Sequence, residues 1–215
     1  MNKTCAVVGV GEGLGMAIAK RFHRENYQLA LMSRSLDKLK QYEQSLQGSA
    51  AVKSFSADAS STESLTKAFQ QVKDTLGSPE VLIYNAAMLR ETDLMNVTAE
   101  ELLQDYRVNV VGALICVQQV VKDMQEAKKG TILVTGGGYA IAPEPKMASL
   151  SMGKAALRNL TFSLREQLQP DGIRVATVII NNIIGSDSHY TAEKIAETYW
   201  ELHTADSLDK PEHIY

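Results

Sequence analysis

A run of closely spaced glycines near the start of the chain has the residue types and spacing needed to bind phosphate. The run Val8-Gly9-Val10-Gly11-Glu12-Gly13-Leu14-Gly15 follows a short apolar segment and precedes an amphipathic one with Ile18 and Phe22 on one side. Glycines at a strand-to-helix turn can adopt positive φ, and their backbone N–H groups can approach a pyrophosphate at the helix N-terminus. The run therefore predicts a dinucleotide-binding turn, and a tight turn that binds nothing is the alternative.

The second apolar run ends at Met32-Ser33-Arg34-Ser35, where dinucleotide-binding folds usually place an acidic residue against the adenosine ribose. No acidic residue stands here. A guanidinium at Arg34 can pair with a 2'-phosphate in fork geometry, whereas a carboxylate would repel it. This segment predicts NADP(H) in preference to NAD(H), with NAD(H) still possible. The alternative is a solvated arginine at the start of a charged helix.

These residues must be positioned by the elements around them, and the apolar pattern predicts those elements. Short runs rich in Val, Ile and Leu alternate with longer amphipathic segments, which is typical of strand-helix-strand units around a parallel sheet. The predicted fold is an α/β, Rossmann-type, doubly wound parallel sheet in three layers, with helices on both faces. The predicted strands are Cys5 to Val8, Gln28 to Ser33, Ala51 to Ser56, Val81 to Asn85, Gly130 to Thr135 and Ile173 to Ile180. The predicted helices are Leu14 to Glu25, Leu36 to Leu46, Ser61 to Leu76, Ala99 to Ala127, Ser149 to Gln169 and Ala192 to His203.

Length and charge limit the classes of function. The 215 residues, 45% of them hydrophobic, suit one domain over 1–215, and a net charge of -3 provides no cationic stripe. Nucleic acid and membrane surfaces are therefore not expected as partners, and a small-molecule ligand is. The N-terminal apolar segment is too short for a signal peptide and no later run reaches membrane-spanning length, so a cytoplasmic location is expected.

Cysteine and histidine usage gives no sign of a metal site. Cys5 and Cys116 lie in separate apolar runs without a C-x-x-C pair, and we expect buried, unreactive thiols. His189 and His203 have no partners at metal-ligand spacing, and we expect both at the surface.

Taken together, these motifs resemble the short-chain dehydrogenase/reductase family over nearly the whole chain. Gly9, Gly13 and Gly15 fit the family's G-x-x-x-G-x-G pattern, although Val8 stands where that family usually has threonine. By the same resemblance, Asp58 matches the acid that usually contacts adenine. Asn85-Ala86-Ala87 resembles the family's Asn-Ala-Gly turn beside the adenosine ribose.

The resemblance weakens at the four side chains that carry the family's chemistry: an Asn, a Ser, and a Tyr followed four residues later by a Lys. Asn109 matches the Asn that organises an ordered water, and Lys154 matches the Lys that binds the nicotinamide ribose. The Ser position is Gly137 and the Tyr position is Leu150. Carbonyl reduction needs a proton donor, which the Tyr phenol supplies in the family, so the chain resembles an atypical short branch that lacks both hydroxyls.

Two other side chains are candidates for the missing donor. Tyr139 lies two residues beyond Gly137 on a loop that should border the nicotinamide pocket, and its alternative role is an aromatic wall. Ser151 follows the vacant Tyr position and could approach Lys154 from the same helix face, and its alternative role is a helix cap.

The resemblance also implies a reduced substrate lobe near 181–191, because Asn181-Asn182-Ile183-Ile184 replaces the family's Pro-Gly turn and few residues separate it from the last helix. This shortening predicts an open site. A homodimer or homotetramer joined through the helices beginning near Ala99 and Ser149 is likewise implied.

We therefore interpret the chain as an NADP(H)-dependent oxidoreductase on an unidentified small carbonyl or alcohol, with a non-standard proton donor. The alternatives are a catalytically inactive NADP(H)-binding regulator or scaffold, and a non-redox enzyme on the same fold. The predicted catalytic residues are Asn109 and Lys154, with Tyr139 and Ser151 as further candidates. The predicted cofactor-binding residues are Gly9, Gly11, Glu12, Gly13, Leu14, Gly15, Ser33, Arg34, Asp58, Ala59, Asn85, Ala86, Ala87, Asn109, Thr135, Lys154 and Ile180.

Overall fold

The chain folds around a seven-stranded parallel sheet with the strand order β3-β2-β1-β4-β5-β6-β7. A computed structural model describes residues 3–46, 48–206 and 210–215. The strands are β1 Thr4–Val8, β2 Gln28–Ser33, β3 Val52–Ser56, β4 Val81–Tyr84, β5 Gly130–Thr135, β6 Ile173–Ile179 and β7 Glu212–Ile214.

In the part of the chain that the structure describes, seven α-helices connect and cover the strands. They are α1 Leu14–Arg24, α2 Leu36–Ser45, α3 Thr62–Leu76, α4 Ala99–Tyr106, α5 Gly112–Ala127, α6 Ala148–Leu168 and α7 Ala192–Thr204. Because strand side chains alternate between the two faces, Ala6 and Val8 of β1 enter one apolar core while Cys5 and Val7 enter the other. Helices α3, α5 and α6 cover the first core and α1, α2 and α7 cover the second. The prediction of a three-layer, doubly wound sheet is confirmed.

The strand order reverses at β1, which pairs with β2 on one side and with β4 on the other. In open parallel sheets a crevice forms at such a reversal, outside the carboxyl ends of the strands. The glycine run follows β1, Arg34 follows β2, Asp58 follows β3 and Asn85 follows β4. The topology therefore gathers these predicted residues at one edge of the sheet.

The predicted helix Ala99 to Ala127 is interrupted in the structure. Its middle, Arg107–Val111, is a π-helical turn between α4 and α5. The buried Tyr84 hydroxyl donates a hydrogen bond to the Val108 carbonyl oxygen of this turn. A wider turn leaves carbonyl groups for partners outside the helix, and π-turns of this kind often occur at functional sites.

Strand β7 was not predicted from the sequence. It pairs with the end of β6, and Arg158 on α6 binds the Glu212 carboxylate through two hydrogen bonds of 2.6 and 2.8 Å. This strand has three residues, one half-buried and two exposed, which is too little alternation to be recognised without the partner strand.

The expectation that His203 lies at the surface is wrong. Its side chain is 7% exposed, with Nε2 2.7 Å from the Tyr27 hydroxyl and Nδ1 2.9 Å from the Thr131 hydroxyl. Burial lowers the pKa of His203 to about 4. The packing of α7 on α1 encloses this ring, while His189 is exposed as expected and both Cys5 and Cys116 are buried.

None of the helices in the described ranges is long and apolar enough to cross a membrane. Within the same residues, no group of three or more His, Cys, Asp and Glu side chains could hold a metal ion.

Candidate cofactor and catalytic site

The glycine turn is shaped by two close backbone approaches. Gly9 has φ +89°, and a Cβ there would collide with the backbone of Ala86. A Cβ on Gly15 would lie 2.7 Å from the Gly9 carbonyl oxygen. The Gly9 N–H donates to the Met32 carbonyl oxygen at 2.8 Å, which ties the turn to the end of β2. Both glycines are therefore needed for the turn to fold this way.

The other two glycines of the turn face open space instead. A Cβ on Gly11 or Gly13 would meet no atom within 4 Å. Gly13 precedes α1, whose N-terminus has no side-chain cap and no acidic residue in its first turn. Leu14 and Gly15 are buried in that first turn, while Glu12 is exposed. An uncapped helix N-terminus beside open space fits the binding of a phosphate group.

Opposite charges lie at the ends of β2 and β3. Arg34 is exposed, and Asp58 accepts hydrogen bonds from the Ser60 N–H at 2.9 Å and the Ser60 hydroxyl at 2.7 Å. These bonds, with a smaller contribution from the positive charge of Arg34, lower the pKa of Asp58. A carboxylate held by hydrogen bonds and an exposed guanidinium thus border the same space.

A cavity of about 420 Å³ lies at this edge of the sheet. This volume is within the usual range for a small-molecule or cofactor site. Most of the predicted cofactor residues line it: Gly9, Gly11, Ser33, Arg34, Asp58, Ala59, Asn85, Ala86 and Ala87. The sequence prediction did not include Met88, Leu89, Gln104 and Val108, which also line the cavity. Met88 and Leu89 follow β4, Gln104 lies on α4, and Val108 lies in the π-turn beside Asn109.

A chain of hydrogen bonds leads from this cavity to the predicted catalytic side chains. Asn85 donates through Nδ2 to the Gly9 carbonyl oxygen at 2.8 Å and accepts at Oδ1 from the Thr135 hydroxyl at 2.9 Å. The Thr135 hydroxyl also lies 2.8 Å from the buried Tyr199 hydroxyl on α7. Thr135 thereby links the glycine turn to the end of β5, and Tyr199 is a residue of this network that the sequence analysis missed.

Asn109 lies in the π-turn and holds the segment after β4. Its Oδ1 accepts from the Met88 N–H at 2.7 Å, and its side chain is 1% exposed. A Cβ on Gly153 of α6 would lie 2.8 Å from the Asn109 Cβ, so α6 approaches the π-turn closely. The asparagine thus sets the position of a cavity-lining segment against the helix that carries Lys154.

Lys154 is buried beside the end of β5. The residue is 7% exposed, and its Nζ donates a 2.6 Å hydrogen bond to the Thr135 carbonyl oxygen. Burial lowers the pKa of Lys154 to about 8. Thr135 accepts from this amine and also donates to Asn85, which lines the cavity.

Gly137 and Leu150 flank Lys154 without offering it a hydroxyl. A Cβ on Gly137 would lie 3.8 Å from the Cγ and Cε atoms of Lys154, at ordinary contact distance. Gly137 has φ -170°, an extended conformation open to any residue, and Leu150 is 5% exposed. The backbone would therefore accept a serine at position 137.

The two candidate donors lie differently with respect to Lys154. Tyr139 is in a single turn of 3₁₀-helix after β5 and is 38% exposed. The Ser151 hydroxyl accepts from the Glu144 N–H at 3.1 Å and lies 3.4 Å from the Glu144 carbonyl oxygen. Ser151 thus binds the loop before α6 and is not brought to the amine. Ile180, after β6, accepts from the Gly138 N–H at 2.9 Å and joins the two loops at this end of the site.

A buried ion pair beneath the site was also missed by the sequence analysis. Asp105 on α4 is 0% exposed and binds Arg90 through two hydrogen bonds of 2.9 and 3.1 Å. It also accepts from the Ser149 hydroxyl at 2.7 Å. This network joins the segment after β4 to α4 and to the first turn of α6. A charged residue in an amphipathic helix usually faces solvent, so no local signal distinguishes Asp105.

Known proteins resemble this chain in sequence and in fold. The sequence model described as short chain dehydrogenase matches residues 3–195. The 3alpha-hydroxysteroid dehydrogenase of Mediterraneibacter gnavus is 29% identical over 184 residues, which cover 82% of this chain and 72% of that protein.

Solved structures show the same architecture. An alcohol dehydrogenase from the archaeon Thermococcus sibiricus, complexed with 5-hydroxy-NADP, has a TM-score of 0.88 at 22% identity, covering 100% of this chain and 96% of that one. A metagenomic short-chain oxidoreductase in complex with NADP has a TM-score of 0.88 at 21% identity, covering 99% and 96%. At such identities these structures show the shared fold, while the sequence match extends over most of the chain. On that match, the protein belongs to the short-chain dehydrogenase family of oxidoreductases.

Proposed function

We propose that this protein is an NADP(H)-dependent oxidoreductase that interconverts a small carbonyl compound and its alcohol. The observation that carries the proposal is the continuous path from the cavity through Asn85 and Thr135 to Lys154. A dinucleotide lying across the sheet reversal would extend along this path.

The residues present fit NADP(H) on three grounds. Open space beside Gly11 and Gly13, next to an uncapped helix N-terminus, suits the pyrophosphate. The exposed Arg34 lines the cavity at the end of β2, where a 2'-phosphate would add two negative charges. In addition, two structures of the same fold are described as complexes with NADP or 5-hydroxy-NADP.

In the proposed reaction, the protein orients the cofactor and the substrate and transfers a proton. When bound, NADPH supplies a hydride to the carbonyl carbon. Asn109 would keep the segment at Met88 in place, and Lys154 would hold the ribose beside the reacting atoms. The dehydrogenase name of the Mediterraneibacter gnavus relative supports a carbonyl and alcohol pair as the substrate class.

The first experiment is a separate titration of the purified protein with NADPH and with NADH, followed by ligand fluorescence or heat. We expect micromolar binding of NADPH and clearly weaker binding of NADH. NADPH oxidation is then measured across a panel of aldehydes and ketones. Failure of both cofactors to bind at millimolar concentration would contradict the proposal, as would bound NADPH that no carbonyl oxidises.

A second candidate function is a regulator or scaffold that binds NADP(H) without turning it over. Gly137 and Leu150 favour it, because neither position can donate a proton. This alternative predicts that NADPH changes the oligomeric state or a partner interaction while no carbonyl is reduced. An unchanged sedimentation profile with and without NADPH would count against it.

The proposal extends to the assembly and the location of the protein. We expect a homodimer or homotetramer, since Leu103, Tyr106 and Met152 are exposed apolar residues on α4 and α6. Sedimentation of the wild-type protein against a Leu103→Glu variant tests this. A cytoplasmic location stays a prediction, and cell fractionation would check it.

A further inference from the structure

The Lys154 ammonium is costly where it lies. Moving an isolated charge from water into a protein interior without a counter-ion is strongly unfavourable. Lys154 is 7% exposed, and within the described ranges it makes one hydrogen bond and no ion pair. A buried amine with so little compensation is typical of a functional group.

The surrounding charged side chains do not compensate the positive charge of the Lys154 ammonium. Charged or titratable side chains on the elements packed against α6 are Glu100, Glu101, Asp105, Tyr106, Arg107, Tyr139, Asp171 and Arg174, and Glu212 of β7 reaches α6 through Arg158. Asp105 is bound to Arg90 and Ser149, and Glu212 is bound to Arg158. Burial is accordingly the cause that lowers the pKa of Lys154 to about 8.

The amine also has unused donors. An ammonium group carries three N–H bonds. The Thr135 carbonyl oxygen accepts from one of them at 2.6 Å. Two donors are left, which is enough for one ribose hydroxyl and one substrate oxygen.

The other hydroxyls near the amine are committed elsewhere. The Ser149 hydroxyl donates to Asp105, and the Ser151 hydroxyl binds the Glu144 backbone. The Tyr199 hydroxyl lies against Thr135, and burial raises its pKa, which makes it a poor acid near neutral pH. Glycine at 137 and leucine at 150 offer no hydroxyl, whereas the buried Lys154 amine carries N–H bonds that can exchange a proton.

We propose that Lys154 is the proton donor of this enzyme and exchanges its Nζ proton directly with the substrate oxygen, where the family uses a phenol. The inference rests on the proposed oxidoreductase function. In the reduction direction a C–H bond forms at the carbonyl carbon with the hydride of NADPH, and the C=O π bond breaks, placing its electron pair on oxygen. An N–H bond of Lys154 breaks as the O–H bond forms. The alcohol, NADP⁺ and a neutral amine result, and solvent returns the proton to the amine.

The pH dependence of turnover provides the first test. Reduction requires the ammonium form, so kcat should be constant below pH 7 and fall about tenfold per pH unit well above pH 8. Oxidation of the alcohol requires the neutral amine, so its kcat should rise through the same midpoint. Amines have a larger ionisation enthalpy than phenols, so the midpoint should fall steeply with temperature. A flat profile, or a midpoint that barely moves with temperature, would overturn the assignment.

A variant that keeps the charge but cannot release the proton provides the second test. Because arginine does not deprotonate in this pH range, Lys154→Arg should lower kcat about 100-fold or more and remove the limb near pH 8. Lys67→Arg, at an exposed position on α3, is the matched control and should leave kcat, the pH limb and the Kd for NADPH unchanged.

Each outcome of these tests identifies which idea fails. Retention of kcat and of the pH limb in Lys154→Arg overturns the lysine assignment alone. Disappearance of the limb in Tyr139→Phe, with Lys154 intact, assigns the donor to that phenol and also overturns it. Absence of carbonyl reduction by the wild-type protein with NADPH bound overturns the proposed function as well. If Lys154→Arg does not fold, the two wild-type profiles still decide the question.

Discussion

The two halves of the site differ in how completely they match the family they belong to. On the cofactor side, the glycine turn, Arg34 and Asn85 meet at one cavity. On the catalytic side, Gly137 and Leu150 stand where the sequence analysis expects the family's serine and tyrosine, and Lys154 makes one hydrogen bond within the described residues. The strands and helices are formed on both sides, so the two halves differ in their side chains and not in their fold.

The cofactor half therefore depends on backbone conformation, whereas the catalytic half depends on side-chain chemistry. Gly9 is fixed by a positive φ and a close backbone contact, and no other residue satisfies both. Gly137 is extended, with room for a Cβ beside Lys154. The first position constrains the sequence sterically, whereas the second can change without loss of the fold.

The largest expected effect comes from restoring both family hydroxyls. The double variant Gly137→Ser with Leu150→Tyr should raise kcat for carbonyl reduction about 100-fold, since a positioned general acid contributes roughly 10²–10⁴-fold. NADPH oxidation by wild-type and variant protein measures this. Gly138→Ser is the control, because a Cβ there would press on Asn181 and should bring no gain. If kcat does not increase in the double variant, the catalytic half lacks more than these two hydroxyls.

The cofactor half should break at Gly9. Gly9→Ala forces a Cβ into the Ala86 backbone at positive φ, and we expect a loss of about 2 kcal/mol or more in the free energy of unfolding, together with loss of NADPH binding. Denaturant titration and fluorescence measure the two effects. Gly77→Ala is the matched control, since Gly77 has φ +80° but open space, and should cost about 1 kcal/mol with unchanged binding. Equal losses in both variants would show that the contact with Ala86 is unimportant.

A smaller effect is expected from reversing the charge at Arg34. Arg34→Glu should weaken NADPH binding roughly 10- to 100-fold, because charge-assisted hydrogen bonds to a phosphate contribute about 1.5–3 kcal/mol. NADH binding should be unchanged or tighter. Lys38→Glu, an exposed change on α2, corrects for net charge. Similar losses of NADPH and NADH affinity would place the 2'-phosphate away from Arg34.

The smallest expected effect concerns stability, at the end of the molecule away from the site. His203 is neutral when folded because burial lowers its pKa to about 4, whereas the unfolded chain protonates near pH 6.5. Its contribution to stability is therefore complete well above pH 6.5 and is lost as the pH falls toward 4, by about 1 kcal/mol near pH 6. Thermal melts from pH 8 to pH 4 should show a shallower loss for His203→Gln than for wild type. His189→Gln, at an exposed position, should leave the slope unchanged.

The sequence by itself determined most of the sheet and the cofactor half. Buried parallel strands are continuous apolar runs, so β1, β2 and β5 could be located within a residue of their true ends. The glycine run and Arg34 are short local signals, and the geometry of parallel strands brings their ends to one edge. The assignment of Gly137 and Leu150 to the family's serine and tyrosine positions stays a prediction, made from their spacing relative to Lys154.

Only the tertiary structure decided what surrounds each side chain. The π-turn at Arg107–Val111, the short strand β7 and the burial of His203 each depend on partners 20 or more residues away, such as Tyr84, Thr177 and Tyr27. The hydroxyl groups near Lys154 in the sequence are likewise directed by tertiary contacts. Ser149 binds Asp105 and Ser151 binds Glu144, so neither is brought to the amine. Local patterns encode periodicity and backbone freedom, whereas hydrogen-bond partners are chosen by packing between distant segments.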